Sequence, residues 1–338
     1  VNDRAIVLRG DARNLPLPDA SVDLICTSPP YWALRDYRDG DASLEGQIGN
    51  EPTPWGYLGA LWEATAEWVR VLKPSGSLFV VLGDKWANRT RGAWRGSSDG
   101  YTGRADSPRY VRPKDLPEKS LIGLPWRYAI GCIDQLGLIL RSEIVWSKPS
   151  PMPESVTDRA RRSHEQVFHF TLRQRYFSAT DAIREPHKAP RRTAGVTAFA
   201  ARDRNIARTA TGDYAGPNPL GAIPGSVWEI ATQPLQAPEE LTVGHDAAYP
   251  PALVRRIVLG WSPEDGLVLD PFGGSGTTAL VAATLGRRGV SIDRSAGYCR
   301  LAQWRTTDPG ERARALGLPK PEPVPDSQPA LFDDEAIA

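Results

Sequence analysis

Apolar residues along this chain gather in short consecutive runs separated by stretches of helical spacing, the pattern of buried strands and the helices that cover them. Runs at residues 5–8, 22–26, 77–82, 138–146 and 267–270 predict strands, and "RRGVSID", ending at Asp293, predicts another. Leu58, Leu61, Trp62, Ala66, Val69 and Leu72 recur at helical spacing, and Lys73-Pro74-Ser75-Gly76 is expected to stop that helix. Further helices are expected at 126–136, from about Pro251 with Leu253, Val254, Ile257, Val258 and Trp261 on one face, and from near Thr277. Between 184 and 225 the periodicity is lost, and it returns at 227–230. Strands and helices in this alternation predict an α/β sheet.

Ligands of open α/β sheets collect outside the carboxyl ends of strands, so the residues that follow each run carry the candidate chemistry. The run at 22–26 stops in Thr27-Ser28-Pro29-Pro30-Tyr31-Trp32. Two prolines fix φ and remove two backbone donors, which leaves the carbonyls of Ser28 and Pro29 able to face a substrate as acceptors. An NH₂ group suits such a corner, and Tyr31 offers a flat face to a planar heterocycle. Pro-Pro-aromatic also occurs in ordinary turns and polyproline segments, so this stretch alone leaves both readings open. The run ending at Asp270 leads into "DPFGGSGTT" and a helix. Glycines admit a ligand close to the backbone, and amides at a helix start favour a carboxylate. The absence of Lys followed by Ser/Thr sets aside the phosphate loop of nucleotide hydrolases, and the glycine spacing departs from the dinucleotide fingerprint.

Composition narrows the class. In 338 residues, 41% hydrophobic, no apolar run approaches a membrane span and no signal-peptide pattern opens the sequence, so a cytoplasmic protein is expected. Cys26, Cys132 and Cys299 lie far apart in apolar segments, which predicts buried free thiols and no structural metal. A net charge of +1 hides two basic stretches. Residues 86–119 carry eight Arg/Lys against four Asp/Glu, and residues 184–216 carry seven against three. A charge run is ordinarily a solvated loop. Two of them flanking a base pocket point to phosphate contact, with Arg89, Arg91, Arg95, Arg184, Arg191, Arg192, Arg202, Arg204 and Arg208 as the DNA-binding candidates.

"TSPPYW" and "DPFGGSGTT" resemble the catalytic and cofactor motifs of the DNA amino-methyltransferases. The catalytic motif comes first and the presumed recognition segment lies between the two, which is the β-class order. "LILRSEIVWSKPSPMPESVTDRARRSHEQVFHF" is similar to one branch of the same family, and the resemblance spans roughly residues 5–305. It implies a Rossmann-like S-adenosylmethionine-dependent methyltransferase fold, with a seven-stranded, mostly parallel sheet and a circularly permuted motif order. The expected organisation is a catalytic domain over 1–305, an inserted basic DNA-binding loop at 86–119, a target-recognition segment at 184–225, and a Pro-rich disordered tail at 306–338.

The resemblance also distributes roles. S-adenosylmethionine is the implied cofactor, its methionine end held by Asp270, Phe272, Gly273, Gly274, Ser275, Gly276, Thr277 and Thr278, its ribose by Asp293 and its adenine by Asp11. An Asp in either place also suits a turn or helix cap. Ser28, Pro29, Pro30 and Tyr31 become the catalytic group, gripping and stacking on a base flipped from duplex DNA. Ser28, where adenine enzymes more often carry Asp or Asn, points to cytosine N4, with adenine N6 as the alternative. An RNA or protein-glutamine methyltransferase and a non-catalytic DNA-binding protein are the remaining readings. His164 and His169 are read as structural. A nucleoid-associated member of a restriction-modification system is implied, as is a homodimer by analogy. Gln328 to Phe332 resembles short peptides that dock on the replication sliding clamp, unless Leu331 and Phe332 fold back on the protein's own surface.

Overall fold

Strand β1 (Ala5–Arg9) opens a computed structural model that describes residues 4–34, 37–39, 42–87, 116–151, 153–187, 218–241 and 248–321. It is followed by β2 (Val22–Thr27), the short pair β3 (Arg38–Asp39) and β4 (Ala42–Ser43), α1 (Pro54–Val71) and β5 (Leu72–Leu82). Next come α2 (Leu124–Leu136), β6 (Ile139–Ser147), β7 (His164–Thr171) and β8 (Val227–Glu229). The chain then forms α3 (Pro251–Trp261), β9 (Leu267–Asp270), α4 (Thr277–Thr284), β10 (Arg288–Asp293), α5 (Ala296–Thr307) and α6 (Pro309–Ala315). The main sheet runs β1-β10-β9-β2-β5-β7-β6-β8, parallel throughout except where β7 lies antiparallel to β5 and β6.

The sheet therefore has eight strands among the described residues rather than the seven expected. The additional one, β8, is three residues long and pairs with β6 through Trp146 and Trp228. A second difference lies just after α1: the helix does end ahead of Lys73-Pro74-Ser75-Gly76, but these residues belong to the next strand. The helix stops at Val71 and β5 begins at the next residue. Gly76 makes this possible, because a Cβ there would stand 2.6 Å from the Leu72 side chain and 2.9 Å from the Asp23 carbonyl.

Helices cover both faces. Leu58, Leu61 and Trp68 of α1 with Tyr128 of α2 pack on one face, and Leu253, Val254, Ile257 and Val258 of α3 on the other. Each such apolar side chain, fully buried, stabilises the fold by about 1.5–3 kcal/mol relative to exposure. The three cysteines are free and buried, and burial raises the Cys132 thiol to about 12.

Two necks define where the basic stretches leave the sheet. Ala87 donates to Ser120 O at 2.7 Å and accepts from Lys119 N at 2.8 Å, closing the base of the first stretch just beyond β5. Glu185 and Ala222 exchange two backbone bonds of 2.9 Å, closing the base of the second. An ion pair of 2.7 Å from Arg256 to Glu185 fixes that second neck to α3.

Candidate active site

Parallel packing brings the carboxyl ends of β1, β10, β9, β2 and β5 to one edge of the sheet, and both motifs lie there. The catalytic loop leaves β2 with Ser28 half-buried and Pro29 buried. Its shape is held from outside. Tyr57 OH donates to Pro30 O at 2.8 Å, Trp32 Nε1 to Glu51 O at 2.8 Å, and Lys85 Nζ to Ala33 O at 2.6 Å. Ala33 takes a left-handed conformation, φ 49°, which costs a residue with a Cβ, and its N–H donates to Gly49 O at 2.7 Å. Burial lowers the Lys85 ammonium to about 8.

Tyr31 is fixed at its far end, where its OH donates to Glu165 Oε2 at 2.7 Å. Lys148 bonds the other oxygen of that carboxylate at 2.5 Å. Gly83 lets the ring lie close, since a Cβ there would stand 2.5 Å from it. Burial, and next the Glu165 carboxylate beside it, push the phenol well above its ordinary range, so it remains a donor.

Asp270 sits at the end of β9, adjacent to β2, and is 2% exposed. The expectation gave it the methionine end of the cofactor, yet its carboxylate faces inward to four donors. Oδ1 accepts from Thr27 Oγ1 at 2.7 Å and Phe272 N at 3.1 Å. Oδ2 accepts from Tyr249 OH at 2.6 Å and Thr278 Oγ1 at 3.0 Å. Burial lifts its pKa, against these bonds. The hub ties β2 to β9, and Thr278, also in the expected set, belongs to it, its one hydroxyl proton shared between Asp270 Oδ2 and Cys26 O, the latter 3.1 Å away.

The glycine turn then leads into α4 through Gly274 and Gly276, at φ 49° and 77°. Gly274 N donates to Asp293 Oδ2 at 2.9 Å, and Ser295 N to Asp293 Oδ1 at 2.9 Å. Burial raises the Asp293 carboxyl to about 6, opposed by these backbone bonds. On the neighbouring strand, where Arg9 pairs with Asp293, the chain continues to Asp11. Burial works against the Asp11 charge, but Arg13 outweighs it with side-chain and backbone bonds and holds the pKa below the ordinary range. Phe272 stands edge-on to Trp68, ring centres 5.7 Å apart. Carboxylates at two adjacent strand ends, beside a glycine turn opening a buried helix start, fit an adenosine joined to an amino acid.

Not every expected residue belongs here. Arg184 is a strut of the second neck, its guanidinium 14% exposed and bonded to Asp181 Oδ1 at 2.6 Å and Gly221 O at 2.8 Å. Its guanidinium nitrogens are thus engaged within the protein. Arg89, Arg91, Arg95, Arg191, Arg192, Arg202, Arg204, Arg208 and the Gln328 to Phe332 peptide lie outside the described residues. His169 is packed against Phe79, ring centres 4.2 Å apart, and burial lowers it to about 3, a structural place as expected. Sequence reading missed Thr27, Lys85, Lys148, Glu165 and Tyr249, whose partners are far away in the chain.

Among the described residues no group of three or more His, Cys, Asp or Glu side chains assembles for a metal, and no helix is long and apolar enough to cross a membrane. Comparison with known proteins gives a consistent answer. The family model described as DNA methylase, for N6 and N4 methyltransferases, matches residues 22–304. Type II methyltransferase M.SmaI of Serratia marcescens is 36% identical over 301 residues, covering 88% of this chain and 89% of that protein. M.XycI of Xanthomonas campestris pv. cyanopsidis is 36% identical, covering 88% and 85%. In fold the chain resembles the cytosine-N4-specific PvuII DNA methyltransferase, TM-score 0.57 at 20% identity with 92% of each chain covered. It also resembles a DNA modification methylase of Thermus thermophilus complexed with S-adenosyl-L-methionine, TM-score 0.54 at 22% identity, covering 92% and 94%. The chain belongs to the DNA methylase family of S-adenosylmethionine-dependent amino-methyltransferases, in the β-class order with the catalytic motif first.

Proposed function

We propose that the protein methylates the exocyclic N4 of cytosine at a specific site in duplex DNA, on a base turned out of the helix, with adenine N6 as the alternative. Ser28 carries this reading: a neutral hydroxyl heads a loop fixed at Pro30, Trp32 and Ala33, one strand away from the cofactor turn. When bound, S-adenosylmethionine supplies an activated methyl group.

An aromatic amine is a poor nucleophile while its lone pair is delocalised into the ring. Ser28 Oγ and the Pro29 carbonyl accept from its two hydrogens and make the nitrogen more tetrahedral, and positioning of this kind supplies the acceleration. Tyr31 stacks on the base, its ring aimed by Glu165. Asp293 accepts from ribose hydroxyls and Asp11 from the adenine amino group, while the 273–277 turn holds the methionine end. Asp270 acts through Thr27, Tyr249 and Thr278 as a positioning residue. Residues 188–217 and 88–115, the latter rooted in a neck next to Lys85 and the loop after β2, make the DNA contacts. Membership of a restriction-modification system follows by similarity to the Type II enzymes.

The deciding measurement is mass spectrometry of nucleosides from DNA methylated by the purified protein. N4-methylcytosine is expected. N6-methyladenine alone overturns the base assignment, and no methylated nucleoside overturns the activity.

A further inference from the structure

Arg305 lies one residue past the family match, in the last turn of α5, with its guanidinium 4% exposed. A buried guanidinium is tolerated only when paired and hydrogen-bonded. Its Nε donates to Glu311 Oε2 at 2.8 Å. One terminal nitrogen donates to Ser275 O at 3.0 Å, Ser275 Oγ at 2.9 Å and Thr277 Oγ1 at 2.9 Å. Three acceptors at the start of α4 are thus gathered on a single cation beneath the cofactor turn. Glu311 is 7% exposed and comes from α6, whose start is capped by Asp308 through a 2.8 Å bond from Glu311 N. Arg314 reaches the other Glu311 oxygen at 3.3 Å and ties Pro234 O at 2.8 Å.

We propose that Arg305 and Glu311 form a buried ionic prop that holds the Ser275 to Thr277 turn in its cofactor-binding shape, so that α6 belongs functionally to the cofactor site. This rests on assigning that turn to the methionine end of the cofactor. The turn also packs against the helix that carries this prop: a Cβ on Gly276 would stand 2.7 Å from Ala302 of α5, so the turn lies directly on the helix that carries Arg305. Ser275 and Thr277 accept from Arg305 and keep their own hydroxyl protons to donate. Arg305 neither touches the cofactor nor adds net charge, because Glu311 balances it. Both are positioning residues.

The test is calorimetric binding of S-adenosylmethionine, and anisotropy of a labelled duplex, with wild type, Glu311→Gln, Arg305→Lys and Asp293→Ala. Glu311→Gln and Arg305→Lys should each weaken cofactor binding by about tenfold or more, and duplex affinity without cofactor should stay at the wild-type level. Arg305→Lys keeps the charge and the pairing with Glu311 but loses the planar fork, so it tests the prop should Glu311→Gln fail to fold. Wild-type cofactor affinity in either folded variant, with Asp293→Ala impaired, overturns the prop and leaves the site standing. Unchanged affinity in all three variants overturns the site assignment itself.

Discussion

Asp293 is the residue whose chemistry is most exposed to solution conditions. Its carboxyl titrates near 6 in the fold, against an ordinary value of about 3.9, because burial disfavours the charge. Between those values the native protein keeps a proton that the unfolded chain has lost, so ionisation costs stability as pH rises towards 6 and the cost is constant above. Cofactor binding runs in the opposite direction, since ribose hydroxyls need the ionised acceptor. Affinity for S-adenosylmethionine should fall as pH drops from about 7 to about 5, and Asp293→Asn should be weaker throughout and nearly flat, which calorimetry can check. A wild type as flat as the variant would remove Asp293 from the ribose. Tyr31 separates two contributions in the same way. Tyr31→Phe keeps the ring and loses the Glu165 bond, so turnover should fall modestly; Tyr31→Ala loses stacking, about 1–3 kcal/mol, and should fall much further. Equal rates for Phe and Ala in single-turnover assays would show that the ring does not stack.

At the scale of elements, packing overrides propensity in places the sequence does not mark. Gly131 lies inside α2, where replacement by Ala gains about 1 kcal/mol of helix propensity. A Cβ there would stand 2.1 Å from the Trp62 indole of α1, and that ring is held by its own 3.1 Å bond to Tyr128 O. Overpacking of this kind costs about 1–3 kcal/mol, so Gly131→Ala should lower the melting temperature while activity per folded molecule is kept. An unchanged or raised melting temperature would mean that α1 and α2 slide apart freely. The same interplay explains what could be read beforehand. β2 and β9 were legible because strands buried on both faces carry consecutive apolar residues, and the turns that end them carry Pro and Gly for reasons visible in single residues. β8 was expected only as a return to order at 227–230, since three residues carry no period and Trp228 becomes a strand residue only against Trp146. Pro74 and Gly76 mark the end of α1, as expected, yet they are strand residues, because Leu72 and the Asp23 backbone fill the space of the side chain Gly76 lacks. Asp270, Thr27 and Tyr249 were hidden as a set, because their contacts join positions more than 20 to more than 200 residues apart.

Over the whole molecule, both sequence motifs share one edge of the sheet, the carboxyl ends of β2 and β9. The hub at Asp270 ties β2 to β9, so the loop after β2 and the glycine turn after β9 are held to each other, and the described residues at the base of each basic stretch close on themselves as a neck. The second neck is closed by bonds among the described residues. Glu185 and Ala222 pair through two backbone bonds, Arg184 spans to Gly221, His187 meets Asn218 O at 3.0 Å, and Arg256 anchors the base to α3. None of these contacts requires residues 188–217, so that segment should be removable without loss of the catalytic core. Joining His187 to Asn218 through a Gly/Ser linker of about four residues closes a short loop at little entropic cost. The excised protein should bind S-adenosylmethionine as wild type does, because the bonds that shape the glycine turn and the Asp270 hub come from Thr27, Tyr249, Thr278, Asp293 and Arg305, none of them in this neck. Duplex binding should lose its sequence preference, and its dependence on salt should become shallower as arginine contacts to phosphate disappear. Methylation mapped by sequencing, with binding measured across a salt series, checks both. If the excised enzyme still methylates the wild-type sequence with the wild-type salt slope, recognition belongs to the other basic stretch, residues 88–115, whose neck stands at the end of β5 beside Lys85 and the loop after β2.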